Sequence, residues 1–197
     1  MRWTLGTIAA VAVLVGAWAA WPFFALYELA NAVQARDPTA VTRRVNFPAV
    51  RQSLTEQVVV TYLHLTGRDA RLGQLGRSLA VGAVTSIADP IVSRLISAEV
   101  LIELLNNGWP VSVLPDQVPN LQGLSPGTLG TAWQIFVRSE QGLRRFDLTV
   151  PATAARARQF TLRFRLISWT WKLTGVGLPD ELRVRLAREV IRQVEKK

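Results

Sequence analysis

The longest apolar stretch of the chain lies between Arg2 and Glu28, where no charged residue occurs. Tryptophan, phenylalanine, leucine and valine are frequent in it, and a helix of about 20 such residues can cross the hydrocarbon core of a bilayer. The pattern predicts a hydrophobic membrane anchor or signal segment over residues 1–25. A single domain is expected over residues 26–197.

Two features of the sequence give opposite predictions about whether this segment is cleaved. Ala17-Trp18-Ala19 matches the small-x-small pattern that precedes a signal-peptidase site. The apolar run nevertheless continues to Leu26, and Trp18 and Trp21 suit the headgroup region of a membrane. We expect an uncleaved anchor in the inner membrane with the domain on the periplasmic or extracellular side. A cleaved signal is the alternative.

Helical periodicity dominates the next part of the chain, residues 26–107. Two sites combine a capping side chain with a proline that can begin a helix. They are Asp37 before Pro38 and Asn46 before Phe47-Pro48. The second of these helices is expected to end at Gly67. The last helix of this part of the chain is expected to start at Ser97. The apolar positions recur every three to four residues, as expected for helices with one buried face: Leu26, Leu29, Val33; Val50, Leu54, Val58, Tyr62; Leu101, Leu104, Leu105.

Alternating apolar and polar positions replace this periodicity after a loop predicted at 108–130. Residues 131–174 are predicted to form four antiparallel strands with a turn at 139–142, and residues 179–196 a C-terminal helix. The apolar positions of the four strands are Trp133, Ile135, Val137; Phe146, Leu148, Val150; Phe160, Leu162, Phe164, Leu166; Trp169, Trp171, Leu173. We expect an α+β fold in which helices pack on a curved sheet. This order of elements is similar to that of nuclear transport factor 2-like folds.

Charge and composition narrow the classes of partner. The net charge is +9, nearly all of it from arginine, and there is no cysteine, so disulfides and thiolate metal sites are excluded. A basic surface fits anionic lipid or nucleic acid, or is simply solvated. Nucleic acid is the less favoured partner, because alternation puts Arg163 and Arg165 on the face opposite Phe160 and Phe164.

Catalytic motifs are not evident in the sequence. His64 is the only histidine and lies between two leucines in a predicted helix, without a nucleophile elbow. One histidine with scattered carboxylates supplies no clustered metal ligands, so neither a metal nor another cofactor is expected. Asp37, Asp69, Asp89 and Asp180 lie at helix starts or in loops, where capping is the ordinary role.

A family resemblance rests on Trp21-Pro22-Phe23-Phe24-Ala25-Leu26-Tyr27 and on the stretch from Asp37 through Asn46-Phe47-Pro48-Ala49-Val50-Arg51. These segments resemble a bacterial family of short proteins catalogued only as a domain of unknown function. The stretches around Phe160, Trp171-Lys172-Leu173 and Leu178-Pro179 look like that family's closing strands. The resemblance implies no activity.

Six residues of these motifs are candidates for a ligand site or a structural role: Tyr27, Asp37, Phe47, Pro48, Arg51 and Trp171. Arg51 could hold an anionic ligand or pair with an acid, for which Glu28 and Asp37 are the expected partners. The tryptophans at 133, 169 and 171 are expected in the core, and lining a pocket or stacking on a ligand is the alternative.

Three functional hypotheses follow from these observations. The leading one is a membrane-tethered, non-enzymatic envelope protein whose domain binds a small hydrophobic molecule, a lipid or a protein. The second is a pocketed α+β enzyme using His64 or an aspartate. The third is a basic binder of nucleic acid or anionic lipid.

Overall fold

The computed structural model describes residues 2–67, 82, 84–86, 88–90, 92–93, 96–107, 139–150 and 159–195. Their elements, in chain order, are α1 (Arg2–Gln34), α2 (Pro38–Arg44), α3 (Phe47–Leu65), α4 (Ala98–Asn107), β1 (Glu140–Gly142), β2 (Arg145–Val150), β3 (Phe160–Ile167), β4 (Thr170–Gly177) and α5 (Asp180–Glu195). Residues 84–86, 88–90 and 92–93 are also helical. The α+β class and the C-terminal helix are therefore confirmed.

Helix α1 has two halves with opposite surroundings. It continues through Pro22 and across residue 25, where the sequence predicts the boundary between anchor and domain. Beyond this point Leu26, Leu29 and Val33 are buried in the domain, whereas Leu14, in the first half, is 69% exposed. Gly6–Gln34 is long and apolar enough to cross a membrane, with a mean hydropathy of 2.0. Its length and composition fit an anchor and a signal sequence equally.

Capping side chains define the starts of the next helices as predicted. Asp37 accepts hydrogen bonds from the backbone N–H groups of Thr39 and Ala40 at 2.9 and 3.1 Å. Asn46 caps α3 by accepting from Ala49, and Ser97 caps α4 by accepting from Val100. These bonds satisfy N–H groups that have no partner within their own helix. At its other end α3 gives way to Gly67, which has a φ of +63°.

The sheet consists of three antiparallel strands of six to eight residues, β2, β3 and β4, with the three-residue β1 paired to the edge of β2. The last three predicted strands are present. The first, with Trp133, lies outside the described residues, so the prediction of four strands is not confirmed. The turn predicted at 139–142 is wrong, since 140–142 pair with β2 and the turn lies at Leu143–Arg144. Turn-forming residue types do not fix the register of a short edge strand.

The exposure of Trp169 corrects a second prediction from the sequence. Ile167 pairs with Thr170, so Ser168 and Trp169 form the two-residue turn between β3 and β4. Trp169 is 79% exposed rather than in the core, while Trp171 is buried as expected. A pattern of alternating residues does not show where a strand ends and its turn begins.

Helix α3 is fixed along the edge of the sheet by backbone and side-chain hydrogen bonds. The Asn46 N–H donates to the Leu173 carbonyl at 2.8 Å, beside the α2–α3 junction. Farther along α3, the Gln57 amide donates to the Val176 carbonyl and accepts from the Leu178 N–H, both at 2.9 Å. Because these bonds join distant parts of the chain, they fix the position of α3 against β4.

Candidate functional site

A groove of about 700 Å³ lies between α3 and the helical residues 84–86 and 88–90, and we call it the α3 groove. Its apolar lining comes from Phe47, Pro48, Val59, Val60 and Ile96. Its polar lining comes from Arg51, Gln52, Thr55, Glu56, Thr85 and Asp89. This volume is within the range of small-molecule pockets, which are commonly apolar with a few polar groups.

Arg51 forms a two-point ion pair across the groove. Its Nε donates to Asp89 Oδ1 at 2.7 Å, and a terminal guanidinium nitrogen donates to Asp89 Oδ2. The hydrogen bond from Arg51, and secondarily the charge of Arg51, lower the pKa of Asp89 below its ordinary value. Asp89 in turn raises the pKa of Arg51. The prediction that Arg51 pairs with an acid is confirmed, but the suggested partners were wrong: Glu28 pairs with Arg44, and Asp37 caps α2.

Thr55 is a polar residue of the groove that sequence analysis missed. The residue is 6% exposed, and its hydroxyl has no hydrogen-bond partner among the described residues. The other threonine of the same helix differs, since the Thr61 hydroxyl donates to the Gln57 carbonyl at 2.8 Å. A buried hydroxyl without a partner is unfavourable, so Thr55 is a candidate for a hydrogen bond to a ligand. The one sequence signal is its spacing, four residues after Arg51 and four before Val59.

The structure brings together three of the six predicted site residues. Phe47, Pro48 and Arg51 line the α3 groove, with Phe47-Pro48 forming the first turn of α3. The other three lie elsewhere: Tyr27 is exposed on α1, Asp37 caps α2, and Trp171 is buried in β4. The Phe47-Pro48-x-x-Arg51 motif therefore marks one wall of the groove.

The remaining candidates for chemistry do not converge on this groove. His64 is exposed near the end of α3 and is not among the groove's described lining residues. Asp180 begins α5 and pairs with Arg183, and Asp69 lies outside the described residues. Across the part of the chain that is described, no three His, Asp or Glu side chains form a cluster that could hold a metal ion.

A depression of about 670 Å³ lies where α1, α2 and the β3–β4 turn meet. Trp21 from α1, Arg43 and Arg44 from α2, and Trp169 from the β3–β4 turn line it. It is more polar than the α3 groove, and the Arg44–Glu28 ion pair occupies part of its wall. The depression brings the turn of the sheet next to the point where α1 leaves the domain.

Fold and groove define an α+β protein that combines an apolar helix of membrane-spanning length with an open, mostly apolar site. Residues 11–104 match the model of a family described as "Protein of unknown function (DUF2939)". The match confirms the predicted resemblance to a domain of unknown function, and it contains all of the described groove residues.

Other comparisons give no further relatives. Neither the curated proteins nor the solved structures yield a match to this chain. The likeness to nuclear transport factor 2-like folds is therefore not shown. The family match ends at residue 104, so the resemblance of the later strands stays a prediction.

Proposed function

We propose that the protein is a membrane-tethered, non-enzymatic module that binds a small amphipathic molecule in the α3 groove. The observation that carries this proposal is the buried hydroxyl of Thr55, which has no hydrogen-bond partner among the described residues and lies one helical turn from Arg51. A ligand with an apolar body and an anionic or hydrogen-bonding head would match both. Its body would contact Phe47, Val59 and Ile96, and its head would meet Thr55 and Arg51.

Binding at Arg51 requires that its pair with Asp89 open or be shared. This pair is more than one third exposed at both side chains, so its net contribution to stability is small. A ligand carboxylate or phosphate can therefore replace Asp89 on the guanidinium at little cost, because both are bidentate acceptors. The ion pair thus keeps Arg51 in position while the groove is empty.

The tether in this proposal is the first half of α1. Its described side chains are mostly apolar and largely exposed, and a bilayer removes that surface from water. We further propose that the chain is not cleaved, and that the domain lies on the periplasmic or extracellular side of the inner membrane. The support for that side is the short basic segment before the apolar run, which is typical of exported chains.

A fluorescence titration with sodium dodecanoate tests the groove. The natural chain has no cysteine, so a single Gln52→Cys variant carries an environment-sensitive fluorophore at the groove, in the full chain in lipid nanodiscs. Leu65→Cys, also exposed on α3 but outside the groove, carries the same fluorophore as the control. Partition of dodecanoate into the lipid is the same for both variants.

We expect a saturable emission change at position 52 and none at position 65. Adding Thr55→Val or Arg51→Gln should raise the midpoint concentration about fivefold, the equivalent of one lost hydrogen bond. An equal response at both positions, or a midpoint that neither substitution moves, would contradict the proposed ligand site.

A further inference from the structure

The sheet has one end at which both of its described tight turns lie side by side, and we call it the turn end. Leu143 belongs to the β1–β2 turn and Trp169 to the β3–β4 turn, and the Leu166 N–H bonds the Arg144 carbonyl between them at 3.0 Å. Leu143 and Trp169 are each 79% exposed, the highest values among the large apolar side chains described. The two exposed apolar tips lie at the same end of the sheet and form a candidate interaction surface.

Helix α1 leaves the domain at the same end. The ring of Phe23 meets that of Phe146, the second residue of β2, with 5.1 Å between centroids. Trp21 lines a depression together with Trp169, and the side chains described before Trp21 are almost all exposed. When the first half of α1 spans a bilayer, the surface of that bilayer is therefore adjacent to the two turns.

A row of three cationic residues crosses the sheet just behind the turns. Arg145 pairs in register with Arg165, and Arg165 with Lys172, so three like charges lie on neighbouring strands. Such an arrangement is unfavourable without a counter-charge. Asp147 pairs with Arg145, but the described residues provide no acidic partner for Arg165 or Lys172.

We propose that the turn end rests on an anionic bilayer surface, with Leu143 and Trp169 inserted among the headgroups. This inference rests on the proposed membrane tether. The headgroup layer is about 5–8 Å thick on each side of the hydrocarbon. Lys172 is three residues from Trp169, about 10 Å along the strand. The long cationic side chains of the row can therefore reach the lipid phosphates while Leu143 and Trp169 lie deeper among the headgroups. Tryptophan is well suited to the headgroup region.

The backbone of the β3–β4 turn gives independent support. Ser168 and Trp169 have φ values of 48° and 62°, a left-handed conformation at both central positions. Gly is the usual residue at the second position of such a turn, and a bulky residue there is strained. A tryptophan that is both strained and 79% exposed gains little from packing in the described structure. Strain of this kind is characteristic of residues that act on a ligand or surface.

Depth-dependent fluorescence quenching tests the contact in the full chain. Single variants Leu143→Cys and Trp169→Cys carry the fluorophore NBD, in vesicles of phosphatidylglycerol and phosphatidylcholine that contain nitroxide-labelled lipid. His64→Cys is the control, because His64 is exposed beyond Gln57, whose bonds to Val176 and Leu178 place it at the other end of the sheet. We expect at least threefold stronger quenching at 143 and 169 than at 64.

The role of the row formed by Arg145, Arg165 and Lys172 is tested by one substitution and a control substitution of equal charge change. Arg165→Glu should reduce quenching at position 169 at least twofold and leave co-sedimentation with the vesicles unchanged. Arg188→Glu, an equal charge change at an exposed site on α5, should alter neither. If protein that co-sediments shows equal quenching at 64, 143 and 169, the surface contact is refuted and the tether stands. If the intact chain does not co-sediment, both proposals fail.

Discussion

At the scale of single residues, Thr55 carries the strongest indication of a site. Its hydroxyl is buried beside the groove, and no described group accepts or donates a hydrogen bond there. A residue retained in that state lowers the stability of the empty protein. In our proposal the same hydroxyl bonds a ligand. Its removal should therefore raise the free energy of unfolding of the empty protein and weaken ligand binding.

Thr55→Val replaces the unsatisfied hydroxyl with a methyl group of similar size. We expect the free energy of unfolding of the ligand-free protein to rise by about 1 kcal/mol. Urea unfolding of the full chain in detergent micelles, followed by circular dichroism, measures it. Thr61→Val is the matched control, since that hydroxyl already donates to Gln57, and it should leave stability unchanged or lower it. A clear loss of stability in Thr55→Val would show that the hydroxyl has a partner in the empty protein.

The pairing of Asp89 with Arg51 gives a prediction about pH. Because the pKa of Asp89 is lowered in the folded protein, the pair is complete above the ordinary value of 3.8. It is lost only as pH falls through the lower folded value. NMR titration of the Asp89 carboxyl carbon should give a midpoint below 3.8 in the natural chain.

Arg51→Gln should return the Asp89 midpoint toward 3.8, because the hydrogen bonds and the charge that lower it are gone. Arg36→Gln serves as the control, since Arg36 has no described contact with Asp89, and it should leave the midpoint in place. An Asp89 midpoint that is unaffected by Arg51→Gln would show that the pair is absent in solution.

At the scale of elements, the β3–β4 turn is the clearest departure from local preference. Trp169→Gly removes the steric conflict of a left-handed tryptophan, so we expect the turn to gain about 1 kcal/mol of stability. Thermal unfolding of the full chain in micelles checks this. Trp18→Gly, in a helix where glycine has no conformational advantage, should give no gain.

A loss of stability in Trp169→Gly would contradict the account of this turn. It would mean that the tryptophan makes stabilising contacts within the domain, and the argument that it is held for a surface would lose its basis. The membrane-quenching experiment and this one are independent, because unfolding in micelles does not depend on anionic lipid.

How much of each element could be predicted depends on how local its determinants are. Asp37, Asn46 and Ser97 cap helices through bonds to residues two or three positions away, so their roles are evident from short segments. The pairing of Arg51 with Asp89 spans 38 positions, and no rule of spacing selects Asp89 over Glu28. The exposure of Trp169 depends on the strand register, in which Ile167 pairs with Thr170 and Trp169 lies in the turn.

At the scale of the whole molecule, the two halves of α1 link the apolar N-terminal pattern to the fold. Leu26, Leu29 and Val33 show that the second half is a core helix of the domain. Val13 and Leu14, at 70% and 69% exposed, show that the first half is not. The sequence predicts the apolar run but not the continuity of one helix through Pro22, because neighbouring packing decides whether a proline ends a helix. The groove likewise depends on packing between distant segments.

The most direct test of the account is whether the natural chain remains in the membrane uncut. Membranes from expressing cells are washed at alkaline pH, and the mass of the protein is then measured. We expect the full-length mass in the pellet. Val13→Arg/Leu14→Arg should move folded protein to the supernatant, because each arginine at the centre of a spanning helix costs about 3 kcal/mol. Leu65→Arg, at an exposed site on α3, should stay in the pellet. Full-length natural protein in the supernatant, or a product cleaved after Ala19, would contradict the tether.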